Sequence, residues 1–155
     1  MSKLKILVLD DDKIRLMLFS KLGEKYGLDM TLTETAKEAI DCLKASEFPC
    51  TDEIADFPIE KVTGIGFDII FLDHDLGGKI YVQSGKETGY EVVEYLCNLN
   101  PHLQAGILVV VHSFNPVGAE NMMKLMEYRH LYCKRAPIGS DIFYKILEDI
   151  SKPIF

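Results

Sequence analysis

Residues 73–78 of this 155-residue chain read Asp-His-Asp-Leu-Gly-Gly and directly follow a largely apolar segment at 67–72. The pattern predicts a buried strand that ends on two carboxylates and an imidazole and then turns at the paired glycines. Ligands of open α/β sheets gather at the carboxyl ends of strands, where carboxylates hold divalent cations through oxygen. A carboxylate can also attack phosphorus as a nucleophile. Asp73 and Asp75, with His74 between them, are therefore candidates for metal binding and for chemistry on a phosphoryl group.

Three other short apolar segments also end on groups that can do chemistry. They end on Asp10-Asp11-Asp12, on His112-Ser113 and on Lys134. Two or three carboxylates bind Mg²⁺ or a similar hard cation, and a lysine neutralises phosphoryl oxygens. An imidazole or a hydroxyl donates to oxygen or carries a proton. If the segments are neighbouring strands, an aspartate between the metal and the lysine is placed for in-line attack on phosphorus.

Each of these residues also has a purely structural interpretation. An aspartate after a strand is often a helix N-cap, which is the role expected of Asp12. A lone histidine at a strand end is commonly structural, and His74 can point away from a site. Lys134 by itself can be a solvated charge. The joint occurrence, one group at each of several neighbouring strand ends, is what favours the functional interpretation.

The order of elements along the chain predicts that these strand ends are neighbours. Strand-like segments at 4–9, 30–33, 67–72, 107–111 and 131–133 alternate with helix-like segments that begin near 13, 36, 89, 116 and 141. Such alternation is typical of a parallel sheet covered on both faces. We therefore predict an α/β fold, a flavodoxin-like doubly wound five-stranded parallel sheet in the order 2-1-3-4-5 with helices on both faces. In that order the first, third, fourth and fifth strands are neighbours.

Length and composition limit the other possibilities. A chain of 155 residues with 48% hydrophobic residues suits one domain over residues 1–155. The longest apolar runs are too short for a membrane span or a secretory signal, so we expect a cytoplasmic protein with four reduced cysteines and no zinc site. A net charge of −7 without a basic face argues against an extended nucleic-acid surface. Residues 46–66 read as a long connection with one helical turn near 52–55, of a kind that is often functional or mobile.

Residues 5–12 resemble the first strand and acidic pair of response-regulator receiver domains. The resemblance covers nearly the whole chain and gives Asp73 the position of the phospho-acceptor aspartate and Lys134 that of the invariant lysine. Receivers usually carry Thr or Ser at the end of the fourth strand, where this chain has His112-Ser113, and which of the two takes the hydroxyl's place is open. They also show Lys-Pro after the fifth strand, where this chain has Lys134-Arg135-Ala136-Pro137.

Three motifs resemble a narrower group, the cyclic-phosphate-processing receiver-like domains. They are Leu-Asp-His-Asp-Leu-Gly at 72–77, Glu-Thr-Gly-Tyr at 87–90 and His-Ser-Phe-Asn-Pro at 112–116. All three occur in the order found in that group. The resemblance implies processing of cyclic phosphates on a small phosphorylated molecule, a nucleotide or an RNA end.

Two functions from different classes follow. As an enzyme, the chain would hold a divalent cation such as Mg²⁺ with Asp10, Asp11, Asp73 and Asp75, and would act through Asp73, His112, Ser113, His74 and Lys134. As a signalling module, it would accept a phosphoryl group on Asp73 and act through a protein partner. A pseudo-receiver that binds without chemistry is a third possibility. An imidazole beside the metal aspartates favours the enzyme slightly, because histidine can shuttle protons near neutral pH.

Overall fold

The computed structural model describes residues 3–50, 62–99, 101–104 and 106–153, and these residues form seven strands and six helices. The strands are β1 (Lys5–Leu9), β2 (Asp29–Thr33), β3 (Phe48–Cys50), β4 (Val62–Gly64), β5 (Ile69–Leu72), β6 (Leu108–Val111) and β7 (Cys133–Arg135). The helices are α1 (Lys13–Tyr26), α2 (Ala36–Ser46), α3 (Gly89–Cys97), α4 (Pro101–Gln104), α5 (Pro116–Tyr128) and α6 (Asp141–Ser151).

Five strands form a parallel sheet in the order β2-β1-β5-β6-β7, which is the predicted 2-1-3-4-5 order and confirms the flavodoxin-like fold. Leu9 pairs with Leu72, and Leu72 pairs with Val111. The residues that follow β1, β5 and β6 therefore lie side by side at one edge of the sheet.

The central strands are apolar throughout because helices cover both faces of the sheet. Side chains of β1, β5 and β6 that point to one face pack against α2, α3 and α5. Those that point to the other face pack against α1 and α6. The described residues contain no helix long and apolar enough to cross a bilayer.

The helix α1 begins where the sequence predicts. The Asp12 carboxylate caps it by accepting from the backbone N–H groups of Ile14 and Arg15, at 2.9 and 3.0 Å. Gly27 ends it at φ 67°, a left-handed conformation that glycine adopts readily. This cap fixes the start of α1 to the end of β1. It thereby determines where Arg15, in the first turn of α1, is placed.

Two parts of the sheet differ from the prediction. The last strand covers Cys133–Arg135 rather than 131–133, because Leu131 is buried where the chain leaves α5 and strand pairing starts only afterwards. Within the long connection, β3 and β4 form a two-stranded antiparallel sheet. The helical turn predicted near 52–55 lies outside the described residues.

Candidate functional site

Carboxylates from two neighbouring strands meet at the edge of the sheet. Asp10 and Asp11 follow β1, and Asp73 follows β5. Among the described residues these three form a group in which one carboxylate oxygen from each lies within 4.8 Å of the others. Asp10 is fully buried and Asp73 is 4% exposed. The sheet order thus gathers the acidic cluster that the sequence suggested.

Arg15, a residue that sequence reasoning did not single out, supplies the cation of this cluster. Its Nε lies 2.8 Å from Asp10 Oδ2, and its Nη2 lies 2.8 Å from Asp10 Oδ1 and 3.0 Å from Asp73 Oδ2. Paired donors of this kind make the strong fork-like contact that arginine forms with carboxylates. The available signal was its position in the first turn of a helix capped directly after the acidic run, because that turn faces back over the strand end.

His112 lies on the side of Asp10 that faces the protein interior, rather than on the side of the cleft. Its Nε2 is 2.8 Å from Asp10 Oδ2, and its ring packs against Phe19 and Phe71 with centroid distances of 5.2 and 6.3 Å. Its buried Nδ1 has no hydrogen-bond partner among the described residues. The imidazole is therefore a buried partner of Asp10, without direct access to a substrate.

Ser113 is the second of the two residues between which the sequence left the hydroxyl's place open. It lines the same cleft as Asp73 and Arg15. Its hydroxyl favours the ionised form of Asp73 and accepts from the Asn115 N–H at 3.1 Å. Of the pair His112-Ser113, the serine is thus the residue that lines the cleft beside Asp73.

The two buried aspartates have opposite pKa shifts. Burial opposes ionisation of Asp10, but hydrogen bonds from His112 and Arg15 outweigh it and hold its pKa below the usual value. For Asp73 burial is the stronger effect and raises the pKa, although the charges of His112 and Arg15 oppose it. Asp73 is therefore the better proton acceptor of the two.

His74 and Asp75 form a separate hydrogen-bonded network. The fully buried His74 ring places Nδ1 2.8 Å from Asp75 Oδ1 and Nε2 2.9 Å from Ser84 Oγ. Asp75 also accepts from Asn115 Nδ2 at 3.0 Å and from the Tyr81 N–H at 2.7 Å. His74 thus points away from Asp73, and the Asp75 oxygens do not belong to the three-carboxylate group.

Lys134 does not reach the cluster, in contrast to the expectation from the sequence. It lies in β7 opposite Val110, is exposed, and has its ammonium 5.9 Å from the centre of the Tyr132 ring. The residue that follows β7 is Ala136, which is buried and donates its N–H to Val111 O at 2.9 Å. Ala136-Pro137 therefore occupies the strand end, because the pairing register places Lys134 two residues too early.

The acidic cluster opens into a cleft of about 410 Å³. Arg15, Asp73 and Ser113 lie on its wall, and side chains of the loops after β5 and β6 form its rim. Two of these rim residues are aromatic and largely exposed, Phe114 at 56% and Tyr81 at 71%. Tyr81 adopts φ 52°, a conformation that non-glycine residues rarely adopt, and its hydrogen bond to Asp75 holds it there.

The turn at the paired glycines closes the cluster on one side. Gly77 and Gly78 have φ of 71° and 74°, as the predicted turn requires. The N–H of Gly78 donates to Asp11 Oδ2 at 2.5 Å. This loop thus orders the most exposed of the three carboxylates.

The donor set suits a hard divalent cation. All three side chains offer carboxylate oxygens, the ligands that Mg²⁺ prefers. In this structure the Arg15 guanidinium lies between two of these carboxylates, Asp10 and Asp73. Three carboxylates against one guanidinium leave excess negative charge for a cation. Asp10, Asp11 and Asp73 are thus the residues that would hold it.

Comparison with known families agrees with this fold and site. The model of the cyclic-phosphate processing receiver domain matches residues 5–128, more than half of the chain. The fold and the strand-end carboxylates define a receiver-type domain. Within that class the chain belongs to the cyclic-phosphate processing receiver domain family. No curated protein sequence matches the chain.

Solved structures with the same fold are receiver domains of low sequence identity. A CheY-like receiver domain from Methanospirillum hungatei JF-1 is 17% identical with a TM-score of 0.57, over 96% of this chain and 94% of that one. A CheY-like receiver domain from Methylobacillus flagellatus is 18% identical with a TM-score of 0.57, over 96% and 99%. The phosphorylated cyanobacterial phytochrome response regulator RcpA is 16% identical with a TM-score of 0.56, over 97% and 90%. At these identities the likeness shows the fold.

Proposed function

We propose that this domain hydrolyses cyclic phosphodiesters of nucleotides or RNA ends to phosphomonoesters. The observation that carries the proposal is Asp73, a buried carboxylate that opens into a cleft beside the Arg15 guanidinium. A carboxylate base and a neighbouring cation are the two groups that water attack on a phosphodiester needs. Membership of the cyclic-phosphate processing family supports the same reaction class.

In the proposed reaction Asp73 accepts a proton from a water molecule in the cleft. The water oxygen forms a bond to phosphorus while one ring P–O bond breaks, and the leaving oxygen takes the proton back from Asp73. Arg15 and the Ser113 hydroxyl stabilise the charge on the phosphoryl oxygens. A divalent cation such as Mg²⁺, when bound by Asp10, Asp11 and Asp73, would withdraw further charge from those oxygens.

His112 acts in this scheme as a positioning residue. Because its Nε2 is bonded to Asp10, it orients that carboxylate and through it the Arg15 fork. Its charge also opposes the effect of burial on the pKa of Asp73. In the His112→Ala variant we expect the acid limb of the pH–rate profile to move to higher pH, because the pKa of Asp73 rises. A purely structural role would lower the rate without moving that limb.

The rim of the cleft supports a nucleoside as the group attached to the phosphate. Phe114 and Tyr81 have exposed side chains and line the same cleft as Arg15, and the guanidinium carbon lies 6.0 Å from the Phe114 ring centre. A base that stacks on an aromatic ring gains about 1–3 kcal/mol. We propose that these rings hold the base while the phosphate faces Arg15.

The test is hydrolysis of adenosine 2′,3′-cyclic phosphate, followed by separation of the two adenosine monophosphates. Asp73→Asn is expected to lower kcat by about 100-fold or more, the usual contribution of a general base. Asp68→Asn is the matched control, because Asp68 is an exposed carboxylate before the other end of the same strand. Equal rates for wild type and Asp73→Asn, or no turnover by wild type with Mg²⁺, would contradict the proposal.

Phosphorylation of Asp73 itself is the second candidate function, favoured by its position at the end of the central strand β5. Incubation with acetyl phosphate and Mg²⁺ followed by intact-mass measurement separates the two. A stable single-phosphoryl adduct that is lost in Asp73→Asn would favour signalling. Ala136 at the end of β7, where receivers carry a lysine, weighs against it, because that cation is missing.

A further inference from the structure

Both oxygens of Asp10 are already occupied in the acidic cluster. Oδ1 accepts from the Asp12 N–H at 2.9 Å and from Arg15 Nη2 at 2.8 Å. Oδ2 accepts from Arg15 Nε and from His112 Nε2, both at 2.8 Å. A cation that binds Asp10 must therefore displace one of these donors, and Arg15 is the donor that Asp10 shares with Asp73, whose Oδ2 lies 3.0 Å from Arg15 Nη2.

The same guanidinium also lies where it can meet a phosphate in the cleft. Arg15 lines the cleft and its side chain is 26% exposed, so it can turn outward without leaving its helix. A guanidinium binds phosphate oxygens with the same paired geometry that it uses for a carboxylate. While it is bonded to Asp10 and Asp73, those donors are engaged.

We propose that Arg15 is a phosphoryl-binding residue of this site and that a divalent cation releases it for that role by replacing it on Asp10 and Asp73. This inference rests on the acidic cleft of the proposed function and adds that the metal and the guanidinium exclude each other on the same oxygens. Arg15 then opposes metal binding but supports phosphate binding. One substitution should change the two affinities in opposite directions.

The experiment is calorimetric titration of Mg²⁺, and then of inorganic phosphate at saturating Mg²⁺, into wild type and Arg15→Gln. We expect Arg15→Gln to bind Mg²⁺ about tenfold more tightly and phosphate about tenfold more weakly, within the usual range of coupling between sites. Lys13→Ala is the matched control, because Lys13 is an exposed cation in the same helical turn that pairs with Glu34, away from the cluster. Arg15→Ala serves as a second variant should the glutamine replace the fork in hydrogen bonding.

Unchanged or weaker Mg²⁺ binding in both Arg15 variants overturns the proposal, as does unchanged phosphate binding. Loss of both affinities together also overturns it, because that result means that Arg15 only maintains the structure. The titrations involve no turnover. Absence of cyclic-phosphate hydrolysis would therefore contradict the proposed reaction only. The two affinities would still test whether Mg²⁺ replaces Arg15 on Asp10 and Asp73.

Discussion

Two carboxylate–imidazole pairs lie at the same edge of the sheet, and in both the ring nitrogen is 2.8 Å from a carboxylate oxygen. In the first pair, His112 and Asp10, one ring nitrogen has no partner among the described residues, and the carboxylate also holds Arg15. In the second, His74 and Asp75, both ring nitrogens are bonded. The carboxylates of both pairs have lowered pKa values, but the first pair also adjoins a cleft carboxylate, Asp73, whose pKa is raised.

Under the proposed function, this difference separates a reactive arrangement from a structural one. Arg15 joins two buried carboxylates, and we propose that a divalent cation replaces it there, so that the first pair belongs to a cluster that changes its partners. Burial opposes ionisation of Asp75, but hydrogen bonds from Asn115 and His74 and from the backbone of the loop outweigh it. The second pair therefore holds the loop after β5, including Tyr81, over the cleft.

The largest expected effect comes from removing Arg15, the cation that is bonded to Asp10 of the first pair. Arg15→Gln leaves two buried carboxylates close together, and we expect the free energy of unfolding at pH 7 to fall by about 3 kcal/mol, at the low end for a broken buried ion pair because the guanidinium is partly exposed. Urea unfolding measures the change. Added Mg²⁺ should restore part of the loss, because a ligand that binds only the folded state stabilises it. No restoration would argue against metal binding here.

A smaller effect is expected at Gly118, which packs against the His74 ring of the second pair. A Cβ at Gly118 would overlap the buried His74 ring, so Gly118→Ala should destabilise the protein by about 2 kcal/mol through overpacking. Val117→Ala in the same helical turn is the control, because Val117 is exposed. Equal stability of Gly118→Ala and wild type would mean that the His74 ring moves freely, contrary to a structural role.

The next effect has the opposite sign. The folded protein raises the pKa of Asp73 above its usual 3.8. The folded state therefore keeps this proton where the unfolded chain has lost it, so stability falls as the pH rises from about 3.8 through the raised pKa. Asp73→Asn should be more stable than wild type by about 1 kcal/mol at pH 7, as is common when a strained functional group is removed. The gain should fade toward pH 3, and a gain that does not depend on pH would contradict the assignment.

The smallest effect belongs to the hydrogen bond between His74 and the loop. Ser84→Ala removes the partner of His74 Nε2, at 2.9 Å, from a half-buried position. We expect a loss of about 0.5 kcal/mol, the low end for one hydrogen bond. Amide exchange should quicken in residues 77–86 and stay unchanged in β1. Faster exchange in β1 as well would show that the two pairs are coupled.

Much of the fold follows from local patterns in the sequence. The apolar runs predict the central strands, Asp12 is predicted to cap a helix, and the structure confirms both. The start of β7 was predicted two residues early, because a buried Leu131 looks the same in a strand as at the end of a helix.

The candidate site was predictable only in part. Alternation of strands and helices is enough to bring Asp10, Asp11 and Asp73 together, because parallel strands end at the same edge. The position of Lys134 was not predictable. A register shift of two residues moves a side chain along the strand by two residue rises, which is about 6–7 Å. Arg15 was missed because its role depends on how α1 is oriented after Asp12.

By itself, then, the sequence determined the fold class, the acidic strand ends and the motifs that mark the family. Tertiary structure decided which charges meet: Arg15 in place of Lys134, Ser113 in the cleft, and the two histidines in separate networks. The physical reason is one of range. Strand and helix signals are local, whereas the partner of a buried charge depends on register, helix orientation and packing between residues far apart in the chain.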